Sequence, residues 1–176
     1  MQPKTIIAMT RLTFLLFLSL LSLTSCQNDS ENNDQIRATG SAGPARIPPQ
    51  NEMTNALMQD YWVFEFFVVP NDEEGSQFNR GRWYNFHADG TFDGGHWQEQ
   101  TDFGNWYYRV TPDKTFVLVD SEVNDLNDAE WEIQGSTYDY TAMSWVRTGK
   151  FGDQRQILGK LLRLTTTPTK ASLGVE

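Results

Sequence analysis

The chain has 176 residues, a net charge of -9 and an aromatic content of 13%, with a single cysteine and two histidines. An acidic body of this kind repels phosphate backbones and anionic lipid heads, which excludes nucleic acid as a partner and a basic patch as the means of membrane attachment. One cysteine excludes an intrachain disulfide, and two histidines exclude a multi-histidine metal site within one chain.

Residues 1–25 carry Lys4 and Arg11 and no acid, and continue into a run of Leu, Phe and Ser over 12–23. A basic start, a short apolar middle and small residues at the end describe a secretory signal. The run is shorter than the roughly 20 apolar residues that a bilayer requires. Leu23-Thr24-Ser25-Cys26, which closes it, resembles the lipobox of a bacterial lipoprotein. The resemblance implies removal of residues 1–25, lipidation of Cys26 and a membrane partner held through acyl chains. The address would be the bacterial outer membrane, facing the periplasm or the cell surface. Loss of the two bases moves the net charge from -9 to -11.

Residues 26–50 then form the lipidated cysteine and a tether. The stretch is rich in Asn, Asp, Ser, Gly and Pro and has no aromatic residue, so it cannot bury enough surface to offset its ordering entropy. Asp29, Glu31 and Asp34 resemble the acidic stretch that follows the lipidated cysteine of Bacteroidetes lipoproteins sent to the cell surface; a generic solvated spacer is the other reading.

A folded domain is expected over residues 51–170, followed by a flexible tail at 171–176. It opens with a short helix over 51–60, with Asn51 as N-cap and Met53, Ala56 and Leu57 on one face. No later segment has helical periodicity of useful length. Eight alternating segments follow, at 61–69, 82–88, 91–100, 105–110, 115–120, 129–134, 137–146 and 156–165. In the first, Trp62, Phe64, Phe66 and Val68 share one parity and Glu65 interrupts the other. Asp89-Gly90 is read as a two-residue hairpin turn, Gly94-Gly95 as a bulge and Thr111-Pro112-Asp113-Lys114 as a turn. Short connections favour antiparallel neighbours. The fold class is therefore all-β, an eight-stranded antiparallel up-and-down barrel with a short N-terminal helix; a β-sandwich is the alternative.

Asp60-Tyr61-Trp62, the run Tyr84-Asn85-Phe86-His87-Ala88-Asp89-Gly90-Thr91-Phe92, and Gly104-Asn105-Trp106 followed by the Pro-Asp-Lys turn resemble lipocalin-like domains of the calycin group. Asp60 stands where those domains usually have Gly. The resemblance implies an eight-stranded barrel with a possible ligand cavity, and does not transfer a ligand.

The candidate site is the barrel interior, lined by Trp62, Phe64, Phe66, Tyr84, Phe86, Trp106, Tyr108, Trp131, Tyr138 and Tyr140. These rings either fill a small barrel or wall a pocket with phenol and indole handles for a small hydrophobic or amphipathic ligand. Trp83, Trp97 and Trp145 fall on the opposite parity, where they would meet a glycan or a protein at the surface. Register across the hairpin sets His87 opposite Phe92 and Trp83 opposite His96, roughly 13 Å between the imidazoles, too far for one ion. The acidic stretch 120–130 fails the EF-hand template and reads as a solvated loop, with a weak calcium site as the other possibility. Glu65 is expected to face water. No nucleophile elbow or phosphate loop is present, so no catalytic residue, cofactor or metal is expected. Oligomeric state is not legible. Binding is the expected function, of a small ligand inside the barrel or of a glycan or protein outside it.

Overall fold

The computed structural model describes residues 39–151 and 156–175, all within the compact unit Ile36–Glu176. Cys26 and the signal segment lie outside the described residues. The strands are β1 (Tyr61–Val68), β2 (Arg82–Phe86), β3 (Thr91–His96), β4 (Glu99–Val110), β5 (Thr115–Ser121), β6 (Ala129–Ser136), β7 (Ala142–Arg147) and β8 (Leu158–Leu164). Each pairs antiparallel with the next and β8 pairs with β1, closing an up-and-down barrel. This is the expected fold class, and its form is compatible with a lipocalin-like fold.

Helix α1 (Glu52–Leu57) carries the anticipated cap. The Thr54 backbone N–H donates to Asn51 Oδ1 at 2.9 Å and the Asn51 N–H to Thr54 Oγ1 at 3.0 Å, a reciprocal capping box. Ala56 and Leu57 join the barrel core, and Trp62 Nε1 donates to Leu57 O at 3.1 Å, so α1 plugs the end of the barrel where β1 begins. A second helix, α2 (Glu73–Asn79), stands at the other end, between β1 and β2. None of its residues is buried, which is why no apolar periodicity announced it.

The β2–β3 hairpin differs from expectation by one residue. Gly90 adopts φ of +90° and its N–H donates to His87 O at 3.1 Å, so Ala88, Asp89 and Gly90 form a three-residue loop with glycine in the left-handed position. Phe86 therefore pairs with Phe92, and Trp83 with Gly95. The 91–100 segment also folds back on itself, because β3 ends at His96 and β4 starts at Glu99.

The ends of the domain are tied down where a tether and a tail were expected. The N–H groups of Thr39 and Gly40 donate to Glu122 O at 2.8 and 2.7 Å. The Gly43 N–H donates to Asp120 Oδ2 at 3.0 Å, Asn105 Nδ2 to Gly43 O at 2.6 Å and Tyr107 OH to Pro44 O at 3.0 Å. Residues 39–46 thus run as a strap along the outer wall of β4 and β5 and reach the absent side chain of Gly90, where a Cβ would meet Arg46 O at 2.2 Å. Composition gave no sign of this, because the strap is held by hydrogen bonds rather than apolar burial. At the far end, Ala171–Leu173 forms a 3-10 turn, and Arg80 donates to Leu173 O at 3.0 Å.

Interior packing is tight enough to be tested by one atom. Gly159 faces inward, and a Cβ there would sit 2.4 Å from Phe64 Cε1. We expect Gly159→Ala to cost about 1–3 kcal/mol of stability, read as a lower urea midpoint at an unchanged m-value.

Candidate functional site

The interior is a continuous layer of rings. Phe64 lies 5.3 Å from Trp131 and 6.3 Å from Trp145 between ring centroids, Tyr84 6.5 Å from Trp145, and Phe86 4.9 Å from Trp106. β1 and β2 thereby touch β6 and β7 across the barrel axis. Trp62, Phe64 and Trp106 are 0% exposed, so no water-sized space borders them. The structure brings Trp62, Phe64, Tyr84, Phe86, Trp106 and Trp131 together as expected, with Tyr108 and Tyr140 half-buried against the same core.

Phe66 and Tyr138 lie outside this interior. β1 carries a bulge at Glu65, between the pairs Phe64 with Leu161 and Phe66 with Lys160. The extra residue reverses the parity, so Phe67 and Val69 point in and Phe66 is 53% exposed. Tyr138 is fully exposed because 137–141 is a turn, not a strand. Thr137 Oγ1 accepts from the N–H groups of Thr141 and Ala142, both at 3.0 Å, and Thr141 Oγ1 donates to Asp139 Oδ1 at 2.8 Å. These side-chain bonds compete with the ladder and win locally.

Of the tryptophans read as outward, Trp145 is 1% exposed and belongs to the core. The turn shortens β7, and a bulge at Gln134, between the pairs Ile133 with Trp145 and Gly135 with Ser144, accompanies its inward placement. Trp83 does face outward but is only 4% exposed. It packs edge-on against Tyr61 at 5.1 Å and donates from Nε1 to Trp97 O at 2.7 Å. Trp97, at φ of +51°, lays its ring over Gly81, where a Cβ would come within 2.5 Å. Gly81 and Gly95 were the sequence signals for this second, external ring cluster.

The histidines are satisfied locally and apart: His87 Nε2 is 3.0 Å from Asp93 Oδ2, and His96 Nε2 is 2.9 Å from Arg80 O. Glu65 meets Lys160 Nζ at 2.6 Å. The carboxylates of the 120–130 loop hold backbone: Asp120 accepts from Gly43, Asp125 Oδ1 from the Ser41 N–H at 2.7 Å, and Asp128 Oδ1 from the Ser121 N–H at 2.9 Å. The loop is the dock of the strap rather than a free solvated loop.

Glu130, on the outer face, is clamped by Arg109 at 3.0 Å and Lys150 at 3.3 Å. Burial pushes its carboxyl up, and hydrogen bonds from Arg109, Thr148 and Lys150 outweigh that and hold it below its ordinary range. Asp102 is the contrasting acid. It pairs with Gly94, is 4% exposed, and accepts from Ser121 Oγ at 2.5 Å and from the Phe103 N–H at 2.9 Å. Burial raises its pKa, and those bonds, the Arg82 charge and Asn127 offset only part of the rise.

The outer wall of β1, β8, β7 and β6 carries two adjoining grooves of about 300 and 330 Å³ that share Ser144 and Lys160. Val68, Leu158 and Val146 form one cross-strand row, and Phe66, Lys160 and Ser144 the next. Val68 is 45% and Leu158 49% exposed. Parity reasoning missed this wall because the bulge in β1 is what turns Phe66 and Val68 outward. No family model, curated protein or solved structure is found to match the chain.

The raised Asp102 pKa has a direct stability consequence. As pH climbs above the ordinary aspartate value, the unfolded chain releases this proton first, so the folded state loses stability until the folded value is passed. We expect Asp102→Asn to raise the urea midpoint at pH 7, where release of this proton in the unfolded chain has already cost the wild type stability, and to leave the midpoint at pH 3 unchanged. Equal shifts at both pH values would show that the effect is packing, not ionisation.

Proposed function

We propose that this chain is a membrane-anchored, lipocalin-like binding module that engages a protein partner on the outer wall of its barrel. The anchor is Cys26, by its lipobox resemblance, and the setting is the outer membrane. The reading is one of binding rather than catalysis. The observation that carries it is the contiguous exposed patch of Phe66, Val68 and Leu158 over an interior already occupied by rings. Closure pairs every strand on both sides, so this patch does not serve strand addition and acts through side chains alone. Two of its three large apolar residues are aliphatic, which suits an apolar protein segment better than the flat face of a sugar ring. Ser144, Gln134 and Lys160 supply polar positions around it.

Two experiments test the two halves of the reading. Cys26→Ser is expected to abolish incorporation of labelled palmitate and to release the protein from the membrane fraction; retained label would overturn the anchor. A photo-crosslinking residue at Ser144 is expected to yield a discrete adduct in cells that Leu158→Glu removes, while the same residue at Asp113, in the β4–β5 turn, yields none. Equal adducts from the two positions would overturn the outer-wall reading.

A further inference from the structure

The two ends of the barrel differ in how the chain leaves them. With strands paired in sequence order, the β1–β2, β3–β4, β5–β6 and β7–β8 connections lie at one end, and α1 with the remaining connections at the other. Three of the connections at the first end expose a large apolar side chain: Phe78 of α2 at 71%, Leu126 at 84% and Phe151 at 42%. Phe78 stands against the His96 ring, 5.8 Å between centroids, and Leu126 is held out by a 3-10 turn, its N–H donating to Asn124 Oδ1 at 3.0 Å. The strap begins at this same end. Thr39 and Gly40 donate to Glu122 O and Ser41 donates to Asp125, both in the connection that carries Leu126. From there the strap runs along the wall to Arg46, beside Gly90 at the opposite end. Without the strap the chain would first be fixed at Asn51, the cap of α1. Docking of the strap therefore moves the point where the preceding chain leaves the domain from the α1 end to the end with Phe78, Leu126 and Phe151. Cys26 stands thirteen residues before Thr39, a stretch of chain that spans at most about 45 Å.

We propose, resting on Cys26 as the lipid anchor, that this end of the barrel is a membrane-docking face, on which Phe78, Leu126 and Phe151 enter the interfacial layer of a zwitterionic lipid surface. Apolar side chains on loop tips are stabilised by leaving water, and the anchor supplies the proximity that three side chains alone lack. The head-group chemistry follows from charge. Acids outnumber Arg80 and Lys150 on the described residues of these connections, and Glu73 and Glu74 share α2 with Phe78. Anionic head groups are therefore repelled and a net-neutral surface is selected. The opposite end exposes Val110 and Tyr138, but the chain does not leave from there. Docked in this way, the barrel stands with α1 outermost, and the patch of Phe66, Val68 and Leu158 stays open to a partner from the side.

The test uses the full chain, expressed with its own N-terminal segment and reconstituted into phosphatidylcholine vesicles. With Cys26 acylated, an introduced cysteine is the only free thiol. A polarity-sensitive fluorophore attached through Phe78→Cys then reports one end of the barrel, and through Tyr138→Cys the other. The expected result is blue-shifted emission and quenching by lipids with brominated acyl chains at position 78, and neither at position 138. Leu126→Glu combined with Phe151→Glu, both at exposed positions, is expected to reduce the effect at position 78 at least twofold. Phosphatidylglycerol vesicles are expected to give a smaller shift. A chain that fails to float with the vesicles would overturn the anchor, and the docking with it. A chain that floats with both labels in water would overturn the docking alone, as would a response at position 138 that equals the one at position 78. A blue shift without quenching by brominated lipid would mean that protein, not lipid, covers this end, and would overturn it too. An equal or larger shift on phosphatidylglycerol would overturn the choice of head group.

Discussion

Phe64 is the contact on which the barrel depends. Its ring crosses from β1 to meet Trp131 on β6 and Trp145 on β7, and it has room only because Gly159, on the neighbouring β8, has no side chain. A small closed barrel must be filled by the residues of its own walls. Here the filling is done by large rings rather than by many aliphatic side chains, and ring pairs 4.5–7 Å apart contribute roughly 0.5–1.5 kcal/mol each beyond the area they bury. The arrangement couples strands that are distant around the wall. It stiffens the cylinder and leaves the interior little capacity for a bulky guest.

That constraint separates the two surfaces of the sheet. The inner face is committed to packing, so interaction chemistry moves to the outside. The outer face is uneven. On the β4–β5 side it is covered by the strap, with Asp120, Asp125 and the Glu122 carbonyl holding residues 39–43. On the β2–β3 side it is covered by the Trp83 ring, whose N–H donates to Trp97 O, and by the Trp97 ring over Gly81. On the β1, β8 and β7 side it carries the exposed row of Val68 and Leu158 with Phe66 beside them. Where the described residues cover the wall they do so with the strap and the turns, and the apolar wall they leave uncovered is the one read as an interface.

Strand number, order, barrel closure and the capped first helix were all legible, because they rest on alternation, turn residues and an N-cap, which are local. Parity within the strands was legible until an extra residue intervened. Glu65 sits among eight aromatic and aliphatic neighbours, 61–64 and 66–69, with no glycine to mark a bulge, so the crossover of Phe66 to the outside left no trace in the pattern. The 137–141 segment alternates Tyr with Thr and Asp as a strand does, and only the hydroxyl and carboxylate bonds of Thr137, Asp139 and Thr141 make it a turn. The strap was illegible for a different reason. Composition reports the capacity to bury apolar surface, and residues 39–46 are ordered by backbone groups finding polar partners more than 60 positions away in sequence.

The strap also changes what the tether is. If the lipid anchor is at Cys26, residues 39–50 are not spacer, because they belong to the wall and to the cap of α1. The Asn105 side chain, itself buried, is the hinge of this arrangement: it donates to Gly43 O from the outer face of β4, one residue before Trp106 enters the core. Gly104 adds to the same place, since a Cβ there would meet Asp120 O at 2.2 Å and push apart the two strands that carry the dock. The Gly-Asn-Trp tripeptide thus serves three neighbouring requirements in consecutive residues, namely close approach of β4 to β5, capture of the strap, and a ring for the barrel core. A short motif can therefore be dictated by packing on both faces of one strand, and its presence indicates the architecture of the wall rather than the chemistry of a ligand.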